Sequence, residues 1–225
     1  MKEIWARFEE WLDKNANQLL DDLNDAAEDS DFEPIERQMG ADLPSDFKAF
    51  YKIHNGQYAE SEDRLYGVEE LLSTERMLEE RNKLKEKFYQ GEFDDLESEP
   101  DAFIRDEWYN PYWLPLTGDG TGNYICMDFA PTREGNIGQI IKISLTTPKR
   151  KKIYSDFKSW IETYVLELEK GFYQYSPKWG GMLPKSKSRY EHEESIVEED
   201  EEDIFGDEEN EGMEGFEILD ESDFS

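Results

Sequence analysis

The stretch WLPLTGDGTGNYICMDFAPTREGNIGQIIKI, residues 113–143, decides the fold. It contains three apolar runs: Trp113-Leu114-Pro115-Leu116, Asn123-Tyr124-Ile125-Cys126-Met127-Asp128-Phe129 and Gly138-Gln139-Ile140-Ile141-Lys142-Ile143. Each is too short for a helix and is bounded by Gly, Pro, Asn or Asp, so each reads as a strand. Gly118-Asp119-Gly120-Thr121-Gly122 and Pro131-Thr132-Arg133-Glu134-Gly135-Asn136 are the turns between them. Connections of this length join antiparallel neighbours, because a parallel pair needs a long crossover.

Outward from this sheet the apolar period changes from 2 to 3.6. Ile4, Phe8, Trp11, Leu12, Leu19 and Leu23 fall on one face of a long first helix. A short second helix is expected from Pro34, a residue favoured at the first helical position, to Gly40. Phe47, Phe50, Tyr51 and His54 share a face of a third, with Asn55-Gly56 as a left-handed stop. Ser73 caps a further helix with Met77, Leu84 and Phe88 inward. Gly91 to Asp106, interrupted by Pro100, reads as a mobile acidic loop. Downstream, Ser155 caps an amphipathic helix bearing Phe157, Trp160, Ile161, Tyr164, Val165 and Leu168 and closed by Gly171. Phe172-Tyr173-Gln174-Tyr175 and Trp179 are expected to pack back onto the body. Helices at the N- and C-terminal ends of a central, mainly antiparallel sheet make an α+β layer fold.

Composition sets the function classes. The 225 residues hold 56 Asp and Glu against 25 Lys and Arg, a formal net charge of −31. A nucleic-acid phosphate backbone is repelled by that field, so no nucleic-acid partner is expected. From Glu191 to Ser225 there are 18 acidic residues and no Lys or Arg, which predicts a disordered tail that cannot offset the entropy of ordering. The expected division is a folded domain at 1–190 and the tail at 191–225. Ile204-Phe205, Phe216, Ile218-Leu219 and Phe224 punctuate the tail, which reads either as a docking segment for a basic partner or as a solvating appendage. The single cysteine, Cys126, excludes an intramolecular disulfide framework and any multi-Cys zinc site. No run approaches ~18 apolar residues and no secretory leader is visible, so a soluble cytoplasmic protein without membrane contact is expected.

Several segments together resemble a known family: Leu43-Pro44-Ser45-Asp46-Phe47 and its helix with Asn55-Gly56, Trp113-Leu114-Pro115, the Gly118 to Tyr124 turn, Asp128 with Pro131, Gly138-Gln139-Ile140-Ile141, and Phe157 with Trp160. In order and spacing they resemble the SUKH superfamily in its Smi/Knr branch, over about residues 30–170. That branch includes yeast cell-wall synthesis regulators and bacterial immunity proteins against polymorphic toxins, often nucleases or deaminases. The resemblance implies an α+β domain that binds protein partners. The acidic insertion around Phe93 to Asp106 and the basic turn Lys149-Arg150-Lys151-Lys152 depart from its compact members.

Sites for chemistry are few. The Gly118 to Gly122 segment lacks the Lys-Ser or Lys-Thr pair and the following helix that a phosphate loop needs, so a tight turn is the better reading, with Asp119 and Asn123 as turn-forming side chains. A Cys126–His54 dyad is available by residue type, but mid-strand Cys126 reads as a buried structural thiol. The Asp200 to Asp203 acids lack the ligand alternation of a calcium loop. No catalytic residue, metal or cofactor is expected. Trp108, Tyr109, Tyr112 and Trp113 are either core or interface anchors. The expected partner surface therefore comprises these four aromatics, Asp119, Asn123, Asp94 and Asp95. Lys149 to Lys152 read as a solvated turn or a landing site for the acidic tail.

Two functions follow. The first is an immunity protein that covers a basic toxin, such as a nuclease, by electrostatic complementarity. The second is an intracellular regulatory scaffold whose acidic tail binds several partners.

Overall fold

A computed structural model describes residues 1–185; the expected acidic tail, 191–225, lies outside the described residues. The three strands expected from residues 113–143 are present as β3 (Trp113–Pro115), β5 (Asn123–Asp128) and β6 (Gln139–Ser144), after β1 (Glu70–Leu71) and β2 (Glu99–Pro100) and with β4 (Thr117–Gly118) between β3 and β5. A further strand, β7 (Lys149–Tyr154), follows. The main sheet has the order β2-β7-β6-β5-β3. All its pairs are antiparallel except β2 with β7. The fold class is α+β with a mainly antiparallel sheet.

Period-2 alternation gives each face of this sheet its own core. Leu114, Ile125, Met127 and Ile140 join the larger cluster, which holds Trp5, Phe8, Leu12, Phe47, Phe50, Phe157, Trp160 and Val165. These come from α1 (Lys2–Asn15), α3 (Ser45–Tyr51) and α5 (Phe157–Glu169). Trp113, Tyr124, Cys126, Ile141 and Ile143 form a second cluster with Leu84, Ile104 and Tyr109. That face is covered by α4 (Thr74–Tyr89), which lies in the chain after α2 (Asp29–Met39), and by the acidic insertion.

The helix boundaries depart from expectation in three places. The first helix ends at Asn15; Ala16 turns the chain and Leu19 reaches the core from a short 3₁₀ turn, Asn17–Leu20. The second helix starts at Asp29, where the Glu28 backbone N–H donates to the Asp31 carboxylate, and Pro34 lies inside it. The stop at Gly40 (φ 68°) is as expected. Asp156, not Ser155, caps α5, accepting from the Ser159 N–H at 2.8 Å. Ser73 caps α4 as expected, accepting from the Arg76 N–H. Gly56 is left-handed (φ 67°) but stands beyond the end of α3, where an added Cβ would lie 2.6 Å from the Leu72 carbonyl oxygen.

The acidic insertion and the basic tetrad are paired with each other. Lys149 to Lys152 is strand rather than turn, and Glu99 and Pro100 lie in parallel register against Lys149 and Arg150. The Asp101 carboxylate accepts from the Lys152 N–H at 2.8 Å, and the Lys152 ammonium lies 4.4 Å from the Phe103 ring centroid. Ile104 from the insertion is fully packed in the second core. Residues read as a mobile loop thus form one wall of the domain. The last aromatic stretch forms a hairpin, β8 (Tyr173–Ser176) and β9 (Gly181–Pro184). Tyr173 and Tyr175 pack on the larger core, whereas Phe172 and Trp179 are exposed.

Candidate protein-binding surface

The residues expected to form one partner surface occupy two ends of the sheet. Asp119 lies before β5 and Asn123 opens it, while the Tyr112 carbonyl accepts from the Phe129 N–H just after it. A six-residue strand separates these ends by about 17–20 Å.

At the first end the turn is built around one carboxylate. Asp119 accepts from the Thr121 N–H (2.8 Å) and hydroxyl (2.7 Å), and from the Asn123 N–H (3.1 Å) and side-chain amide (2.6 Å). Burial pushes this carboxyl upward, but the hydrogen bonds from Asn123 and Thr121 outweigh it and hold the group below the usual carboxylate range. Gly120 (φ 74°) and Gly122 (φ 105°) supply the left-handed backbone. Two amides that a phosphate would need already serve Asp119, which settles the turn-forming reading of the motif. Beside it lies a hollow of about 230 Å³ lined by Arg64, Glu70, Arg76 and Glu80. Arg76 is held there by Glu70, Glu79 and Glu80.

The aromatic group at the second end divides by burial. Tyr109 and Trp113 are fully buried and stack edge-to-face at 6.2 Å. They are core residues, and their assignment to a partner surface is corrected. Trp108 is partly covered by the Arg150 guanidinium, 4.5 Å from its ring. Tyr112 is 48% exposed. Asn110 fixes its position: the Asn110 side-chain oxygen accepts from the Tyr112 N–H at 2.7 Å, and its backbone oxygen accepts from the Trp113 N–H. Across a hollow of about 300 Å³ stands Tyr89, which is 71% exposed, with Arg81, Lys85 and Arg105 also lining the space. Asp94 and Asp95 are exposed in the insertion and do not line it.

The groups available for chemistry are held in structural roles. Cys126 is fully buried in the second core, and burial drives its thiol well above its ordinary pKa. His54 belongs to the other side of the sheet, edge-on to Trp5, with ring nitrogens 2.8 Å from Glu9 Oε1 and 3.2 Å from the Asn24 carbonyl oxygen. The two do not form a dyad. Asp128 is fully buried; burial raises its carboxyl, opposed by hydrogen bonds from the Ala130 N–H and the Gln139 amide. Gln139 also donates to the Phe103 carbonyl, tying the sheet to the insertion. Among the described residues no group of three or more His, Cys, Asp or Glu is placed to hold a metal, and no helix is long and apolar enough to cross a membrane.

Sequence reading missed the buried polar residues that organise these ends. Gln57 is fully buried, accepts from the Leu65 and Leu71 N–H groups and donates to the Asp63 carbonyl. Arg81 and Arg150 are buried cations. Like charges four apart, as in Arg81 with Lys85, do not single them out, because Lys83 with Lys87 and Glu75 with Glu79 repeat the spacing on the same helix.

Comparison with known proteins places the domain. The model of the SMI1 / KNR4 family (SUKH-1) matches residues 26–163. A KNR4/SMI1 homolog 2 from Debaryomyces hansenii is 27% identical, covering 82% of this chain and 38% of that protein. The cell wall biosynthesis/cell cycle regulator smi1 of Schizosaccharomyces pombe is 26% identical over 76% of this chain and 36% of its own length. The cell wall assembly regulator SMI1 of Saccharomyces cerevisiae is 22% identical over 74% and 40%. The chain spans under half the length of these relatives. On the match over residues 26–163, the chain belongs to the SMI1 / KNR4 family (SUKH-1).

Proposed function

We propose that this chain is a non-enzymatic protein-binding module that controls a partner by covering it. The observation that carries this reading is the exposure of Tyr89 and Tyr112 on ordered backbone beside a hollow. Exposed aromatic side chains with little entropy to lose are the usual anchors of protein interfaces. The sequestered Cys126 and the saturated Asp119 support the same reading. Relatives named as cell-wall regulators support a regulatory form of it, in which the domain acts within a larger assembly in the cytoplasm.

The charge favours a second form. Residues 1–190 carry 38 acidic and 25 basic residues, and an acidic inhibitor gains on-rate and register against a basic toxin such as a nuclease. Asp94 and Asp95 offer exposed acidic contacts for that partner. Affinity capture with the full chain from its native lysate, at low and high salt, separates the forms. One basic partner, toxic when expressed alone and neutralised by co-expression, identifies immunity. Housekeeping partners without toxicity identify the regulator. For the toxin form, association slows with salt while dissociation changes little, because screening acts over ~8–10 Å. Salt-independent association contradicts it. Failure to retain any protein under either condition removes the module reading.

A further inference from the structure

We infer that the hollow between Tyr89 and Tyr112 is a carboxylate-binding pocket that receives an acidic peptide segment of a protein partner. This rests on the protein-binding reading but requires no basic partner. Its main observation is a contrast within one helix. Along α4, Arg76 pairs with Glu70, Glu79 and Glu80, Lys83 with Glu80, and Lys87 with Glu92. Arg81 and Lys85, which line the hollow, make no ion pair among the described residues, and neither does Arg105 opposite them. In a chain with more than two acids for every base, a hollow lined by three cations and a single acid reverses the overall balance of charge.

Arg81 is the deepest of the three, at 2% exposure. Its guanidinium donates to the Pro111 carbonyl (2.9 Å), to the Gln38 side-chain oxygen (2.5 Å) and to the Gln38 carbonyl (3.3 Å). These acceptors are neutral. They engage three of five N–H groups, so the fork is held rigidly with its charge uncompensated. A buried cation gains most from a carboxylate delivered into the same low-dielectric space. Lys85 is half-buried, with its ammonium 5.8 Å from the Tyr89 ring, and Arg105 is exposed. The single acid lining the hollow, Glu107, accepts from the Asn110 amide at 2.6 Å.

Size and walls select the ligand. About 300 Å³ is at the small end of ligand pockets. It suits one acidic side chain, while Tyr89, Phe88 and Tyr112 offer apolar surface to the residue beside it. The strongly negative remainder of the chain disfavours a polynucleotide.

The test uses the full isotope-labelled chain and the acetylated, amidated peptide Gly-Glu-Tyr-Glu-Gly. Saturable shifts of the Lys85, Arg105 and Tyr112 resonances are expected, with affinity at least ~10-fold lower for the Lys85→Glu/Arg105→Glu variant and for the Gln-for-Glu peptide. Both substituted side chains have solvent access, and an unchanged Tm certifies folding; Tyr112→Ala is the second variant, expected to weaken binding without altering the Gln-peptide control. Shifts confined elsewhere, or binding indifferent to these changes, overturn the inference. So does displacement of the peptide by equimolar glutarate, which would assign the pocket to a free small carboxylate. Loss of peptide binding with partner capture intact removes this inference alone; loss of capture by the unmodified chain removes the module reading.

Discussion

The Arg150 guanidinium lies over the Trp108 ring at 4.5 Å and donates from Nε and Nη2 to the backbone oxygen of the same residue, at 2.9 and 2.6 Å. A side chain from the basic strand thus fixes both the ring and the backbone that precede Tyr109. Nη1 donates onward to the Thr147 carbonyl at 2.6 Å. Burial lowers the guanidinium pKa to about 10, yet the fork satisfies carbonyls that have no water to replace it.

Replacing Arg150 by Ala is therefore expected to cost about 3 kcal/mol, from orphaned carbonyls and lost packing. Arg150→Lys should recover little, because an ammonium cannot reproduce the planar fork. Urea unfolding of the three proteins decides this; a loss below about 0.5 kcal/mol for Ala, the range of ordinary surface changes, contradicts it.

Asp119 and Glu69 should give pH dependences of opposite sign. The Asp119 carboxyl is held below its ordinary value, so its stabilising contribution is complete above the unfolded-state pKa and is lost as pH falls through the folded one. Asp119→Ala removes four hydrogen bonds at the turn and should cost about 1–2 kcal/mol at pH 7, less in acid. Thermal unfolding from pH 2 to 7 checks the convergence.

Glu69 is buried, and burial raises its carboxyl pKa against the opposing hydrogen bond from the Thr117 hydroxyl and the Lys142 charge 3.9 Å away. The folded state then binds its proton more tightly than the unfolded chain. Its contribution is fully present below the unfolded pKa and is lost as pH rises through the higher folded value. Glu69→Gln, which still accepts from Thr117, should stabilise the protein more at pH 8 than at pH 4; equal effects at both would contradict the assignment.

Gly56→Ala should be among the more damaging small changes. The backbone there is left-handed, and a Cβ meets the Leu71 and Leu72 carbonyl oxygens at 2.7 and 2.6 Å. A cost of about 2 kcal/mol or more is expected in chemical denaturation.

Cys126 should react with a thiol reagent such as DTNB only when the domain opens. Its sulfur is fully buried and its thiolate disfavoured. Labelling that is fast at neutral pH without denaturant would contradict the sealed second core.

The central hairpins were legible because their alternation is uninterrupted: Ile125 and Met127 face one core, Tyr124 and Cys126 the other. Lys149 to Lys152 hid a strand because four successive cations carry no apolar alternation, and only Arg150 points into the interior. Ser155 and Asp156 are adjacent capping types, and sequence offers no means of ranking them. At the candidate surface, Tyr109 and Tyr112 differ by nothing in residue type; α4 and the insertion cover one and leave the other exposed. The cationic hollow assembles residues 38, 81, 85, 105 and 112 from four separate segments, so its spacing in the sequence is uninformative.

The two-residue strand Glu99–Pro100 also determines what cannot happen at that margin of the sheet. A terminal β-strand with free amides is a template for the strand of another molecule. Here β7 is closed along Lys149 and Arg150 by a segment ending in proline, which has no N–H to extend the ladder. The acidic insertion accordingly acts as a stopper against edge-to-edge aggregation, and shortening it would expose a β-rich edge at the concentrations where proteins meet their neighbours.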